Sequence, residues 1–149
     1  GLLQGKNLEK ADLSGITLTR ANLQGVNLTN GVLRDTQLQG ASLAGANLSL
    51  AKMQDARMIE ADLSKAKLFC ADLESANLPL ADLRGADLFE ANLENANLIG
   101  VKCDSRTRLP NGLLYTSMTN LEIFTDPNHK TFWRSRVAGR PAYPIKARY

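Results

Sequence analysis

The chain has 149 residues, of which 44% are hydrophobic and 22% are charged, and its formal net charge is +3. This balance is typical of one globular domain, and no apolar stretch is long enough to cross a membrane. Two cysteines, Cys70 and Cys103, are too few for a disulfide framework, and their spacing matches no metal site. We expect a cytoplasmic protein that has no membrane segment, no cofactor and no metal.

The sequence repeats every five residues from its start to about Cys103. A large apolar side chain stands at every fifth position from Leu3 to Leu98, and these twenty positions hold 18 Leu besides Met53 and Met58. Two residues before each of them, Ala fills fourteen of the twenty positions. A five-residue step spirals around an α-helix of about 3.6 residues per turn, and in a strand it alternates between the two faces. Neither element can bury the leucines together.

A chain that makes a quarter-turn every five residues does bury both rows. Four units then close a square coil, and stacked coils pair their backbones at roughly 4.8 Å, the spacing of neighbouring strands. Residues 1–103 would form about five such coils, with Leu and Ala pointing inward. The predicted core of the middle coils comprises Ala61, Leu63, Ala66, Leu68, Ala71, Leu73, Ala76, Leu78 and Leu83.

The units ADLSG (11–15), ADLES (71–75) and ADLRG (81–85) match the pattern A(D/N)LXX, in which X is any residue. Over about two-thirds of its length the chain therefore resembles the pentapeptide-repeat family. The resemblance implies an all-β fold, a right-handed quadrilateral β-helix, and it supplies the handedness. The tail, with Phe124-Thr125-Asp126-Pro127 and Phe132-Trp133, also resembles the tails of cyanobacterial members.

Residues 104–149 are expected to form a capping segment packed on the last coil, because an open coil leaves apolar side chains and backbone groups uncovered. The stretch 107–112 predicts a turn and resembles the TxLP(D/N)G segment that follows the final coil in this family. Asp126 would cap a helix that starts at Pro127 and ends near Gly139. The plug would consist of Leu113, Leu114, Tyr115, Leu121, Ile123, Phe124, Phe132, Trp133 and Val137. Alternatively, the tail presents this surface to a second copy, and a homodimer forms through the C-terminal end, as in relatives.

Catalytic chemistry has little support in the sequence. A Cys–His nucleophile pair would need His129, which lies in the tail, beside one of the two cysteines. Cys103 stands at an inward Leu position, which favours a core role. Aspartates recur because Asp occupies an outward repeat position. We expect that the protein is not an enzyme.

One predicted wall is rich in carboxylates, because residues twenty apart stack on the same face. It carries Asp12 and the candidate partner-binding residues Asp35, Asp55, Asp72, Glu74 and Glu94, relieved by Arg34 and Lys52. A row of carboxylates can imitate the phosphates of duplex DNA, and relatives that protect DNA gyrase from quinolones are thought to act in this way. Against this, the repeats hold 12 acidic and 10 basic residues, and Leu replaces the inward Phe of those relatives. A solvated polar wall is the favoured interpretation.

Two apolar stripes form a second pattern. Phe69 and Phe89 lie one coil apart on one wall, so their rings should stack, and both are candidate partner-binding residues. Ile59, Pro79 and Ile99 follow one another on another wall, with Leu50 and Leu80 at the corners. Such surface indicates an interface, unless the tail folds back over part of it.

These patterns predict a non-enzymatic scaffold that presents rigid faces to an unknown protein partner. The alternative is a DNA-mimicking inhibitor or protector of a type II topoisomerase such as DNA gyrase. The tail after Cys103 holds eight basic and three acidic residues, but it has no recognised nucleic-acid motif. Direct nucleic-acid binding is therefore not expected.

Overall fold

The computed structural model describes residues 2–134, and most of them form a square rod of stacked coils. Each wall of the rod is tied to the next coil by parallel bridges between residues twenty apart, from Asn7–Asn27 to Asp82–Lys102. Twenty five-residue units make five coils, as the period predicts.

Two kinds of backbone hydrogen bond repeat along the rod. Between coils, the Leu63 amide donates to the Asp82 carbonyl (2.8 Å) and the Asp62 amide donates to the Ala41 carbonyl (2.9 Å). Within a coil, the Ala66 amide donates back to the Leu63 carbonyl (3.0 Å) and closes a turn. The coil thereby satisfies its polar backbone both along the rod and at each corner.

The corner of each unit has a left-handed backbone. The fifth residue has a positive φ in all twenty units, and thirteen of these residues are not glycine, among them Lys10 (φ 60°) and Leu80 (φ 62°). A turn with positive φ at its third residue is of type II and normally favours Gly or Asn there. The repeated coil therefore imposes a conformation that most of its corner residues adopt only at a cost.

The interior of the rod consists of the two predicted rows. All nine core residues named from the sequence are at most 2% exposed in the middle coils, and Leu63 is fully buried. In the first coil, Leu3, Leu8, Leu13 and Leu18 are half-buried, because nothing in the described chain lies below them. Burial thus increases from the N-terminal end of the rod towards its middle.

The coil continues past Cys103, where the sequence places its end. Arg108 bridges Asp87, which is twenty-one residues away, so the sixth coil carries one extra residue. After the extra residue, Thr107 takes the inward Ala position and is fully buried. Its hydroxyl donates to the Leu83 carbonyl (2.9 Å). Leu109 takes the next inward Leu position at 4% exposure.

The following segment lies over the last full coil. The short helix α1 (Glu122–Thr125) supplies Phe124, which is 1% exposed, and the Thr125 carbonyl accepts the Asn95 amide (2.7 Å). The Trp133 ring meets Phe124 edge-on, with 5.9 Å between centroids. This segment therefore covers part of the apolar end of the rod.

Two details of the predicted plug are wrong. Leu113 and Leu114 are 65% and 57% exposed, because Leu114 bridges Arg108 in an antiparallel turn that faces outward. No helix runs from Pro127 through residue 134: the Asp126 carboxylate accepts the Asn128 amide (2.8 Å), but the chain then turns back.

The reason lies in a tertiary contact. The Trp133 amide donates to the Ile123 carbonyl (2.7 Å), and a helix from Pro127 would carry Trp133 away from it. Val137 and the predicted helix end near Gly139 lie outside the described residues.

The four walls can be named by their side chains. The aromatic wall comprises the units that begin at residues 6, 26, 46, 66 and 86, and the acidic wall those that begin at 11, 31, 51, 71 and 91. The isoleucine wall comprises the units that begin at 16, 36, 56, 76 and 96. The first wall comprises those that begin at 1, 21, 41, 61 and 81. The aromatic and isoleucine walls are on opposite sides of the rod.

Candidate functional site

The aromatic wall carries two phenylalanines in consecutive coils. Phe69 and Phe89 each follow an inward Leu, and their ring centroids are 6.0 Å apart with planes tilted by 34°. Aromatic pairs favour such offset contacts over a flat sandwich. The twenty-residue spacing therefore produces the ring contact that it predicts.

The tail covers one end of this aromatic pair. The Arg108 guanidinium carbon lies 4.1 Å from the centre of the Phe89 ring and faces the Asp87 carboxylate at 3.7 Å. Gly112 also approaches the ring: a Cβ built on it would lie 3.2 Å from Phe89 Cε2. Phe89 is consequently half-buried.

The other end of the pair is open. Phe69 is 41% exposed, and Leu50, at the corner one coil below, is 42% exposed. The Leu50 amide donates to the Phe69 carbonyl (2.8 Å), so the two side chains belong to adjacent coils. The tail therefore covers the upper part of the apolar stripe and leaves the lower part exposed.

The isoleucine wall has a second exposed stripe. Ile99 is 73% exposed and Leu80 is 50% exposed, while Ile59 and Pro79 are half-buried. A Cβ built on Gly100 would lie 2.7 Å from Leu80 Cδ2, so Leu80 lies across that corner. Unlike the aromatic wall, this stripe contains no aromatic ring.

The acidic wall brings the predicted carboxylates onto one face. Asp35, Asp55 and Glu74 are exposed. Asp72 accepts hydrogen bonds from the side-chain amides of Gln54 (2.6 Å) and Asn92 (2.9 Å).

The upper end of this wall meets the tail. Glu94 lies 3.3 Å from the Arg134 guanidinium, which also lies over the Phe132 ring at 4.9 Å. The row of carboxylates is therefore partly neutralised and partly hydrogen-bonded within the chain.

Ion pairs on the first wall lower the pKa of two aspartates. The Arg84 guanidinium donates to Asp82 at 2.5 Å and holds the pKa of that carboxyl below its usual value of 3.8. Arg106 does the same for Asp104, whose carboxylate also accepts the Gly85 amide (3.0 Å). These contacts fix the loop that contains the extra residue.

The cysteines and the histidine do not come together as a reactive site. Burial raises the pKa of the Cys103 thiol from 9.0 to about 11, which leaves it protonated and a poor nucleophile at neutral pH. His129 Nδ1 accepts the Thr131 amide (3.2 Å) in the tail. Among residues 2–134 no group of three or more His, Cys, Asp or Glu side chains is placed to hold a metal ion.

A shallow cavity of about 270 Å³ opens at the C-terminal end of the rod. Its lining includes Leu109, Phe124, the exposed Leu113 and Leu114, and Met118, which is 89% exposed.

The described part of the chain contains no helix with the length and apolar character that a membrane crossing requires.

The repeat pattern identifies the family. The family model for pentapeptide repeats matches eight copies, over residues 3–35, 32–68 and 66–102. The chain is a pentapeptide-repeat protein. Its coil is the right-handed quadrilateral β-helix of that family.

Solved pentapeptide-repeat proteins are similar to the chain. Rfr23 of the cyanobacterium Cyanothece 51142 is 34% identical over 68% of this chain and 86% of its own, with a TM-score of 0.60. A pentapeptide-repeat protein of Nostoc Pcc 7120 is 33% identical over 75% of this chain and 79% of its own, with a TM-score of 0.38. Another, from the thylakoid lumen of Arabidopsis thaliana, is 29% identical over 65% and 71%, with a TM-score of 0.38. No curated protein matches the chain significantly.

Sequence reasoning missed the residues that frame the aromatic pair. Arg108 stacks on Phe89 because the extra residue before Thr107 shifts the tail by one position, and a strict twenty-residue count hides this contact. Lys65 and Lys67, beside Phe69, were also missed, although the period places Lys67 directly below Asp87.

Proposed function

We propose that this pentapeptide-repeat protein is a non-enzymatic scaffold that binds a protein partner on its aromatic wall. The observation that carries the proposal is the exposed pair Leu50 and Phe69, held side by side on a hydrogen-bonded coil. Aromatic side chains on rigid backbone are effective interface anchors, because little conformational entropy is lost when a partner binds.

The aromatic wall is a better candidate than the isoleucine wall for a physical reason. A ring offers a larger contact area than Ile, and Phe89, with Arg108 stacked on it, borders Phe69 on its upper side. A partner that packs on Phe69 therefore meets a second ring beside it, whereas the isoleucine stripe has no aromatic ring. Complementary shape, rather than area alone, distinguishes specific interfaces.

A photo-crosslinking experiment tests the proposal. The crosslinking amino acid p-benzoylphenylalanine is placed at residues 44, 49, 54 and 59, which occupy the same position of each unit on the four walls of the third coil. In cells of the source organism, we expect a protein adduct from position 49 that Phe69→Ala abolishes, and no such adduct from position 44. Equal adducts from all four walls, or none from position 49, would contradict the proposal.

A DNA-mimicking topoisomerase inhibitor or protector is the second candidate. The exposed carboxylates of Asp35, Asp55 and Glu74, on consecutive coils of one wall, favour it. Neutralisation of Glu94 by Arg134 weakens it.

A gyrase supercoiling assay separates the two candidates. Inhibition by the purified chain that is lost in the triple variant Asp55→Asn, Asp72→Asn, Glu74→Gln would establish DNA mimicry. Supercoiling that continues unchanged at micromolar protein would exclude it.

Two further expectations become proposals of their own. We place the protein in the cytoplasm, and fractionation of the source cells tests this.

A homodimer through the C-terminal end is supported by the exposed Leu113, Leu114 and Met118 around the open cavity. Sedimentation analysis of Met118→Lys tests it, since that change would convert a dimer into a monomer.

A further inference from the structure

We propose that the open part of the aromatic wall binds an acidic peptide segment of the partner, with one of its apolar side chains packed between Leu50 and Phe69. The inference rests on the proposed function and specifies the chemistry of the partner. The surface consists of Leu50, Phe69, Lys65 and Lys67, and it is called the Leu50–Phe69 seat below.

The seat is bounded on its upper side. Phe89, with Arg108 over its ring and Gly112 at its edge, closes the stripe one coil above Phe69. Below the seat, the units 26–30 and 46–50 present the side-chain donors of Asn30, Asn47 and Ser49, which can bond to a peptide backbone. An apolar side chain of the partner therefore has one place to pack, and polar groups on one side of that place can bond to the main chain of the partner.

The charge of the seat is positive. The aromatic-wall units 26–30, 46–50 and 66–70, together with the corner residue before the last of them, contain two charged side chains, Lys65 and Lys67, and both are exposed. Neither forms a salt bridge within residues 2–134. The carboxylate of Asp87, one coil above Lys67, faces Arg108 instead.

The position of Lys65 reinforces this charge. A Cβ built on Gly85 would lie 3.4 Å from Lys65 Cγ, so the Lys65 stem extends along the corner towards the next coil. Lys65 and Lys67 both precede Phe69 along the chain, so they lie on the same side of it along the wall. Complementary charge then calls for carboxylates on one side of the partner's apolar residue.

A peptide fits the seat better than a nucleic acid does. Two lysines neutralise only about two phosphates, and affinity for nucleic acids depends on many such contacts. Along the same wall, no other basic side chain lies below the seat until Lys6 and Lys10, three coils under Lys65 and Lys67. A nucleic-acid strand would therefore lack a continuous row of cations, whereas a short acidic segment needs only these two.

Selection from a library of random twelve-residue peptides displayed on phage tests the inference. The full chain is the target, and peptides that also bind Phe69→Ala are removed. We expect enrichment of peptides in which Asp or Glu flanks a large apolar residue. For a synthetic peptide of the enriched sequence, fluorescence polarisation should give a dissociation constant about tenfold weaker with Phe69→Ala.

Charge variants supply the matched control. The pair Lys65→Gln, Lys67→Gln should weaken the peptide by about fivefold and reduce its salt dependence, because both cations face the seat. The pair Lys52→Gln, Arg57→Gln, on the acidic and isoleucine walls of the coil below, should leave the affinity unchanged. Thermal unfolding of each variant excludes a general loss of folding.

Several outcomes would overturn the inference. Enriched peptides without acidic residues, or no peptide that depends on Phe69, would do so. So would a labelled oligothymidylate that binds more tightly than any selected peptide and is released by Lys65→Gln, Lys67→Gln, because the ligand would then be single-stranded nucleic acid. If crosslinking at position 49 still captured a protein, only the acidic chemistry would be refuted, and the proposed function would stand.

Discussion

Replacement of Leu63 by Ala tests the architecture of the rod most severely. Leu63 is fully buried in the fourth coil and lies between Leu43 and Leu83 of the coils below and above. Its amide and carbonyl are both hydrogen-bonded, to Asp82 and Ala66. The four walls around it are held by the same ladder, so they cannot move inward to fill a void.

The magnitude follows from this rigidity. Leu→Ala removes the equivalent of about three methylene groups, which is worth roughly 2.4 kcal/mol of transfer free energy. The unfilled cavity raises the loss in unfolding free energy to about 3–5 kcal/mol. The same change at Leu8, an inward position of the first coil that is already half-buried, should cost about 1–2 kcal/mol, since less surface returns to water.

Urea unfolding provides the measurement. Circular dichroism follows the coils, and the fluorescence of Trp133, the single tryptophan, follows the segment packed on Phe124. Two probes are needed because stacked repeats can unfold in parts. Equal losses for Leu63→Ala and Leu8→Ala, or a loss below about 1 kcal/mol for Leu63→Ala, would refute the buried square coil.

Three further changes follow from the same structure. Gly45→Ala, at a corner with φ +65° and open space around the new Cβ, should lower the unfolding free energy by about 1 kcal/mol through backbone strain alone, and an unchanged urea midpoint would contradict the left-handed corner. In a Cys70→Ala background, the rate of Cys103 alkylation by iodoacetamide should increase with pH with a midpoint at about pH 11. A midpoint near pH 9 would show that the thiol is not buried. The depressed pKa of Asp82 contributes stability that is present above pH 4 and lost as the pH falls through the folded value. Arg84→Gln should therefore lower the melting temperature more at pH 6 than at pH 2, and an equal effect at both would refute the ion pair.

The repeats could be predicted from the sequence because one physical rule governs them. A five-residue period in Leu and Ala fits neither a helix nor a flat strand, and the quarter-turn coil is the arrangement that buries both rows. Inward residues such as Ala71 and Leu73 follow from position alone. The positive φ at every corner could not be predicted in the same way. Gly at a corner would indicate it, but residues such as Lys10 and Leu80 rarely adopt this conformation.

The tail was harder to predict because it has no period. Asp126-Pro127 is a good helix start by local rules, yet the pairing of Trp133 with Ile123 turns the chain back. The extra residue before Thr107 is likewise invisible until Arg108 is found opposite Asp87.

The candidate site shows both sides of this difference. The stacking of Phe69 and Phe89 follows from their twenty-residue spacing, so the sequence predicts it. Which ring stays exposed depends on Arg108 and Gly112, whose positions depend on the one-residue shift. The open and covered parts of the aromatic wall therefore required the structure.

The most direct test of the central claim is a calorimetric measurement of the affinity of the partner crosslinked at position 49. It is measured for the unaltered chain, for Phe69→Ala and for Ile99→Ala. We predict that Phe69→Ala weakens binding by about tenfold, because an exposed aromatic anchor is lost, while Ile99→Ala, on the opposite wall, binds as tightly as the unaltered chain. Unchanged affinity for Phe69→Ala together with weakened affinity for Ile99→Ala would contradict the account and would place the interface on the isoleucine wall.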